Sequence, residues 1–435
     1  MGLPERIRLW GIGGVGMSAL AQHLHHLGHE LTGYDRERSA FTHRLEALGI
    51  PIDYEPTPAR LKETQAIIYT PAISSEFPEW EEARQRGLPT WRRKEALAHV
   101  VEQYEVIAVA GTHGKTTTAA ILAWLLTALG ESPTAFVGGL MRNFDNNYCH
   151  GKGPWSIVEA DEYDRALMHL RPVHAILQSI EPDHLEIYGS AGEVVKAYRE
   201  FASQVRGVLV AAPNVPPLGR SHLSYTLEHY EVNEDLITFA YRWQKGRREV
   251  AWHQLGRHFA ENAASALVLL EALGYDFSAL AEGLRAFKGV ARRLEIHSAS
   301  PHLIVNDYAH HPTEIRRTLS ALREAFPSYR LIALFQPHLY SRTLFFAQDF
   351  AQALSIADFV LLFPIYAARE PSTPHISSQL ISQHLTIPYR EVIPLGSDMS
   401  WLNITNLHTP SILAFLGAGD IDQWVSPTLQ YLTQL

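Results

Sequence analysis

The apolar run Val106-Ile107-Ala108-Val109-Ala110 passes straight into Gly111-Thr112-His113-Gly114-Lys115-Thr116-Thr117-Thr118, and a helical pattern from Ala119 to Leu129 follows until Gly130. A strand that is apolar on both faces has to be covered on both sides, so this order of elements restricts the chain to layered α/β folds. Backbone N–H groups of such a turn, with the helix N-terminus behind them, form a concave array of donors for phosphate oxygens. Lys115 adds a point charge for the β- and γ-phosphates, and the Thr116 hydroxyl is placed for Mg2+. The strict phosphate-loop spacing has glycine five residues before Gly114, where this chain carries Val109. The physical context is kept although the spacing is not.

Short β-branched runs alternate with helical patterns almost throughout, which predicts βαβ units and parallel sheets. With 435 residues and about 150 per domain, three domains are expected, at 1–103, 104–289 and 290–435. Strands are predicted at Ile7–Trp10, His29–Tyr34, Ala66–Tyr69 and near Leu88–Trp91 in the first. The second adds Ala135–Val137, Ser156–Glu159, Ala175–Ile180 and Val208–Ala211, then a small antiparallel patch over Tyr225–Trp252. Leu303–Asp307, Arg330–Phe335, Phe359–Phe363 and Ile412–Leu416 are predicted strands of the third, with a helix after Pro312. Hydrophobic residues make up 46% of the chain and the net charge is −9, which excludes a disordered chain and argues against a chain-wide nucleic-acid surface. Cys149 is the single cysteine, so neither an intramolecular disulfide nor a cysteine zinc site is expected. Neither a leader nor a membrane span is expected, and the default setting is cytoplasmic.

Mg2+ takes oxygen ligands, and Val158-Glu159-Ala160-Asp161-Glu162 offers carboxylates at the end of an apolar run. Asp183-His184 follows another strand, at the edge where a parallel sheet collects its ligands. Near the N-terminus, Gly11-x-Gly13-Gly14-Val15-Gly16-Met17, with Asp35 ending the next strand, has the form of a dinucleotide turn. It reads either as an NAD site or as a site for the pyrophosphate of another nucleotide, such as a UDP-sugar. In the last third, Asp307-Tyr308-Ala309-His310-His311-Pro312-Thr313-Glu314 and Gln336-Pro337-His338-Leu339-Tyr340-Ser341-Arg342-Thr343 each sit between a strand and a helix. Arg342 is a bidentate partner for a carboxylate, while His310 and His311 also suit helix capping.

Together these stretches, with Gly256–Asn262 and Arg292-Arg293, resemble the Mur ligase family of peptidoglycan synthesis, and within it the member that adds alanine. The resemblance covers the whole chain, and a loop without the upstream glycine is typical of the family. It implies a Rossmann-like N-terminal domain for the uridine nucleotide, a central P-loop ATPase domain with a mostly parallel sheet, and a Rossmann-like C-terminal domain for the amino acid. The implied enzyme is an ATP-dependent ligase that joins L-alanine to the lactyl carboxylate of UDP-N-acetylmuramate through an acyl phosphate. By resemblance, Gly111, Thr112, His113, Gly114, Lys115, Thr116 and Thr117 hold ATP phosphates, and His258 and Asn262 lie at the adenine. Arg293 and Asp307 close on ATP. Thr116 and Glu159 serve one Mg2+, His184 serves a second, and His311, His338 and Arg342 hold the amino acid. Gly11, Gly13, Gly14, Val15, Gly16, Met17 and Asp35 serve the UDP-sugar. The third domain is expected to move as a body hinged near Gly289, in a monomer or homodimer.

Two departures stand out: Phe259 follows His258 where the family often has asparagine, and Leu339 replaces the usual arginine. The alternatives are a tripeptide-recycling UDP-N-acetylmuramate ligase, a folylpolyglutamate synthase, a non-catalytic UDP-sugar-binding protein or an NAD-dependent dehydrogenase.

Overall fold

The computed structural model describes residues 2–182, 185–368, 370–371, 373, 375–391, 401–405 and 407–434. It is a mixed α/β structure built on four sheets, and the chain falls into two compact units. One takes in Met1–Thr226, Trp243–Gly246 and Asn262–Lys288; the other takes in Leu227–Arg242, Arg247–Glu261 and Gly289–Leu435.

In the first unit, a five-stranded parallel sheet runs in the order Ile52–Asp53, Glu30–Tyr34, Arg6–Trp10, Ala66–Tyr69, Thr90–Arg92. The order reverses beside Arg6–Trp10, so the glycine turn after that strand opens at the switch point where doubly wound sheets bind ligands. The second sheet places Glu105–Ala110 between His174–Leu177 and Trp155–Ala160, all parallel. One edge of this sheet is Leu209–Ala211 and the other is the antiparallel hairpin of Thr134–Met141 with Asn146–Cys149. One apolar core runs from Ile7, Leu9 and Leu24 through Ala108 and Val158 to Phe201. Each large side chain buried there contributes about 1.5–3 kcal/mol, which fixes the two sheets as one body.

Three consecutive strands, Thr226–Asn233, Leu236–Trp243 and Gly246–Trp252, form the small third sheet. Their two-residue links are too short for a parallel crossover, so the meander is antiparallel, as the alternation in the sequence indicated.

The last sheet, in the second unit, runs in the order Glu295–Ala299, His302–Asp307, Ser411–Leu416, Arg330–Phe335, Phe359–Leu362, Tyr389–Glu391. It is parallel except for the antiparallel first edge. Among the described residues no helix is long and apolar enough to cross a membrane.

Several element boundaries differ from the sequence expectation, among them the strand Thr134–Met141, and two of the shifts have a local physical cause. The helix after the phosphate loop starts at Lys115 rather than Ala119, because Gly114 takes a left-handed φ of +84° and lets the chain turn into the helix at once. The strand expected over Ala175–Ile180 ends at Leu177, since Gln178 and Ser179 turn their hydrogen bonds to the loop described next.

Candidate active site

Gly111 leaves its strand at φ +132°, where a Cβ would stand 2.8 Å from the Ser179 nitrogen. The Thr112 amide donates to Ser179 O at 3.0 Å and the His113 amide to Ser179 Oγ at 2.9 Å. A Cβ on Gly114 would reach within 2.5 Å of Asn262 Oδ1, so Asn262, from the helix Arg257–Ala272, lies directly against the loop. Gln178 Nε2 donates to Thr118 Oγ1 at 2.7 Å and Ser265 donates to Gln178 Oε1 at 3.2 Å, tying the loop's helix to its neighbours. The loop is therefore held from both sides by backbone and buried side chains.

Lys115 Nζ donates to Gly111 O at 2.7 Å and to both Glu162 oxygens, at 2.9 and 2.7 Å. Burial alone would lower its pKa, but Glu162, then Asp161 and Glu159, outweigh burial and hold the ammonium above the usual lysine range. Thr116 Oγ1 donates to Glu159 Oε2 at 3.1 Å, and the Gly138 amide donates to the other Glu159 oxygen. A hydroxyl and a carboxylate at that separation are hard oxygen donors suited to Mg2+.

A cavity of about 270 Å³ lies beside this pair. Its lining includes Gly14, Val15, Gly16, Met17 and Thr70 together with Gly138, Glu159, Asp161 and Arg93. Val15 begins a helix whose N-cap, Gly14, offers no side-chain cap, so the positive end of that helix lies at the cavity lined by Gly14–Met17 and favours an anion there. Arg93 adds a positive charge: its Nη1 would meet a Cβ on Gly16 at 2.7 Å, and it pairs with Asp161 at 3.8 Å.

Asp35 holds the turn itself. Its Oδ2 accepts the Gly13 amide at 2.7 Å, and a Cβ on Gly13 would lie 2.9 Å from that oxygen.

In the second unit, Asp307 is buried and accepts from Leu294 N at 3.2 Å, Ala309 N at 3.0 Å and Thr318 Oγ1 at 2.8 Å. Burial pushes its carboxyl up to about 6, against the opposing pull of Arg293. Arg292 and Arg293 both lie over the Tyr308 ring, at 4.9 and 5.2 Å. His311 caps the helix Pro312–Ala325, with Nδ1 accepting from Thr313 N at 3.3 Å while Glu314 takes the His310 and His311 amides. His338 stacks on Tyr366 with centroids 5.9 Å apart and lies 3.5 Å from Arg342 Nη1. Leu339, at φ +70°, turns the chain so that the helix Tyr340–Leu354 brings Arg342 back to His338. His258 packs against Phe259 at 4.6 Å and lies where a Cβ on Gly256 would clash with it.

The structure thus brings Lys115, Thr116, Glu159, Asn262 and the Gly11–Met17 turn together in one unit. It places Asp307, Arg293, His311, His338, Arg342 and His258 in the other, and His184 lies outside the described residues. Sequence reasoning missed Arg93, Gly138, Ser179 and the pairing of Glu162 with Lys115. The basic run Arg92-Arg93-Lys94 at the end of the strand Thr90–Arg92 was the readable signal for the first of these.

Residues 6–105 match the model of the Mur ligase family catalytic domain, 109–270 the Mur ligase middle domain, and 292–400 the Mur ligase glutamate ligase domain. The chain belongs to the Mur ligase family. The UDP-N-acetylmuramate–L-alanine ligase of Porphyromonas gingivalis is 34% identical over 99% of this chain and all of its own length. The enzyme of that name from Gloeobacter violaceus is 35% identical over 97% of this chain and 94% of its own. The crystal structure of UDP-N-acetylmuramate-alanine ligase from Thermotoga maritima superposes with a TM-score of 0.82 at 28% identity, covering 99% of each chain. This Mur ligase accordingly has the family's three-domain α/β architecture and is an ATP-dependent amide ligase.

Proposed function

We propose that this Mur ligase joins L-alanine to the lactyl carboxylate of UDP-N-acetylmuramate in peptidoglycan precursor synthesis, in a cytoplasmic setting, with ATP cleaved to ADP and phosphate. The observation that carries the reading is the cavity lined jointly by the Gly14–Met17 helix start and by Glu159, whose carboxylate also takes Thr116 of the phosphate loop. A sugar nucleotide whose pyrophosphate rests on the Val15 helix terminus would extend toward the Lys115 loop with its acid.

The lactyl carboxylate oxygen attacks the ATP γ-phosphorus and the bond to ADP breaks, giving an acyl phosphate. The amine of alanine then attacks the acyl carbon, phosphate leaves with the former carboxylate oxygen, and the amine gives up a proton. Both steps gather negative charge, and this chain meets it with charge and dipoles already in place. Lys115 would draw on the β- and γ-phosphate oxygens, and the loop amides from Gly111 to Thr117 would cradle them. Asn262, against Gly114, would lie at the nucleotide with His258. Thr116 and Glu159 would hold Mg2+, which when bound neutralises phosphate oxygens, and His184 is assigned to a second ion.

In the second unit, the Arg342–His338 pair would take the carboxylate of the amino acid, and Arg293 would reach ATP. Asp307 and His311, as their hydrogen bonds stand, would act by shaping the Arg292–Leu294 turn and the helix start.

The reading is tested by phosphate release from ATP with UDP-N-acetylmuramate and, separately, L-alanine, glycine, L-serine and the tripeptide. L-Alanine should give the highest kcat/KM. Turnover with the tripeptide alone would move the chain to the recycling activity, and binding without turnover would make it a sugar-nucleotide sensor.

A further inference from the structure

The Lys115 ammonium is shared between two kinds of acceptor: the loop carbonyl of Gly111 at 2.7 Å and the Glu162 carboxylate at 2.7 and 2.9 Å. They differ in how they are anchored. Gly111 is jammed against the backbone of Gln178 and Ser179, so its carbonyl stays where it is. Glu162 has its backbone pinned, since Tyr188 OH donates to its carbonyl at 2.8 Å and Arg165 N donates to the same oxygen at 3.0 Å. Its side chain is attached by rotatable bonds at the head of a 3-10 turn, ahead of Asp164 and Arg165, which hold φ of +54° and +52°. Glu159, three residues earlier, takes Thr116. One short acidic run therefore engages both side chains of the loop that serve phosphate.

We propose that Glu162 is a positioning residue of the phosphate loop: its carboxylate aims the Lys115 side chain and competes with a nucleotide phosphate for the same ammonium. The inference rests on the assignment of this loop to nucleotide phosphate and adds to it a residue that sets nucleotide affinity. A phosphate oxygen takes over the Lys115 proton that Glu162 now accepts, and the glutamate side chain swings aside. Affinity for nucleotide is thereby held below what Lys115 would give with no competitor.

The test is calorimetric titration of MgADP into the native chain, E162Q, E162D and D161N, with KM for ATP and kcat measured alongside. E162Q should bind MgADP at least fivefold more tightly. E162D keeps the charge on a shorter arm that grips Lys115 less well, so it should bind at least twofold more tightly. D161N removes a nearby charge that acts on Lys115 through space, where Glu162 adds two hydrogen bonds, and its gain should be under half that of E162Q. KM for ATP should fall in both Glu162 variants with no rise in kcat. Weaker or unchanged MgADP binding in E162D, or a D161N gain equal to that of E162Q, overturns the proposal. E162D decides the matter alone where E162Q does not fold. A native chain that binds no MgADP would instead sink the nucleotide assignment of the loop.

Discussion

The Thr116 hydroxyl meets Glu159 Oε2 at 3.1 Å, while the second oxygen of that carboxylate takes the Gly138 amide on the neighbouring strand. Glu159 thus joins the phosphate loop to the wall of the cavity that the Gly14–Met17 turn also lines. E159Q keeps the size and part of the hydrogen bonding but loses the charge. Its kcat should drop by about 100-fold or more, with a higher Mg2+ concentration needed for half-maximal rate. A steady-state Mg2+ titration that matches the native chain would remove Glu159 from the metal site.

Glu79 is the buried centre of the first sheet's ion network. It accepts from Arg8 Nε, Arg8 Nη2, Trp10 Nε1 and the Thr57 amide, each at 2.7 Å. Removing Glu79 leaves Arg8, which is wholly buried, with Nε and Nη2 stripped of their acceptor and only Nη1 still on a carboxylate, Asp53 at 2.9 Å. Glu79→Ala should therefore destabilise the first unit by about 3–5 kcal/mol. Urea unfolding followed by tryptophan fluorescence reads this, since Trp10 and Trp80 stand beside the network. A loss under about 1 kcal/mol would contradict the assignment.

That network also marks the limit of what the sequence discloses. Periodicity located the strands Ala66–Tyr69 and Arg330–Phe335 residue for residue, and the helix after Pro312, because each is a local pattern of apolar positions and punctuation. The phosphate loop was legible for the same reason: its chemistry lies within one strand, turn and helix. Glu79 meets Arg8 across 71 positions and Glu162 meets Lys115 across 47, pairings that topology decides and no local window contains. Asp35 is assigned to a sugar nucleotide from its place at a strand end, and His311 to the amino acid by resemblance, with helix capping as its other reading. Each has a backbone partner that the sequence reading does not name, the Gly13 amide and the Thr313 amide, since a polar side chain at such an end also satisfies the nearest orphan donor.

The Asp307 carboxyl, raised to about 6 by burial, gives the second unit an unusual pH response. Between its unfolded value of 3.8 and about 6, the folded state holds the proton more tightly than the unfolded one. This contribution is present below pH 3.8 and is lost as pH rises through about 6. The unfolding free energy of native protein minus that of Asp307→Asn should fall by roughly 2–3 kcal/mol between pH 4 and pH 7. A flat difference would show that the carboxyl titrates as an ordinary one.

His23 responds with the opposite sign. It is buried beside Tyr148, whose hydroxyl lies 3.0 Å from Nδ1, and burial first, then His150, His26 and His29, brings its pKa down to about 4. The folded state favours the neutral ring, so the contribution is complete above pH 6.5 and is lost as pH falls toward 4. Relative to His23→Gln, the first unit should lose roughly 3 kcal/mol over that range. The readout is urea unfolding at stepped pH, and a difference that does not change with pH would count against the buried neutral imidazole.

The central claim is that the Lys115 loop passes a phosphoryl group to an acid held in the neighbouring cavity. Its most direct test uses UDP-N-acetylmuramate labelled with oxygen-18 in the lactyl carboxylate, incubated with ATP, Mg2+ and L-alanine. Mass spectrometry of the inorganic phosphate should find one labelled oxygen per molecule formed, carried over when the amine displaces the acyl phosphate. Phosphate released at the full rate without label would contradict the account.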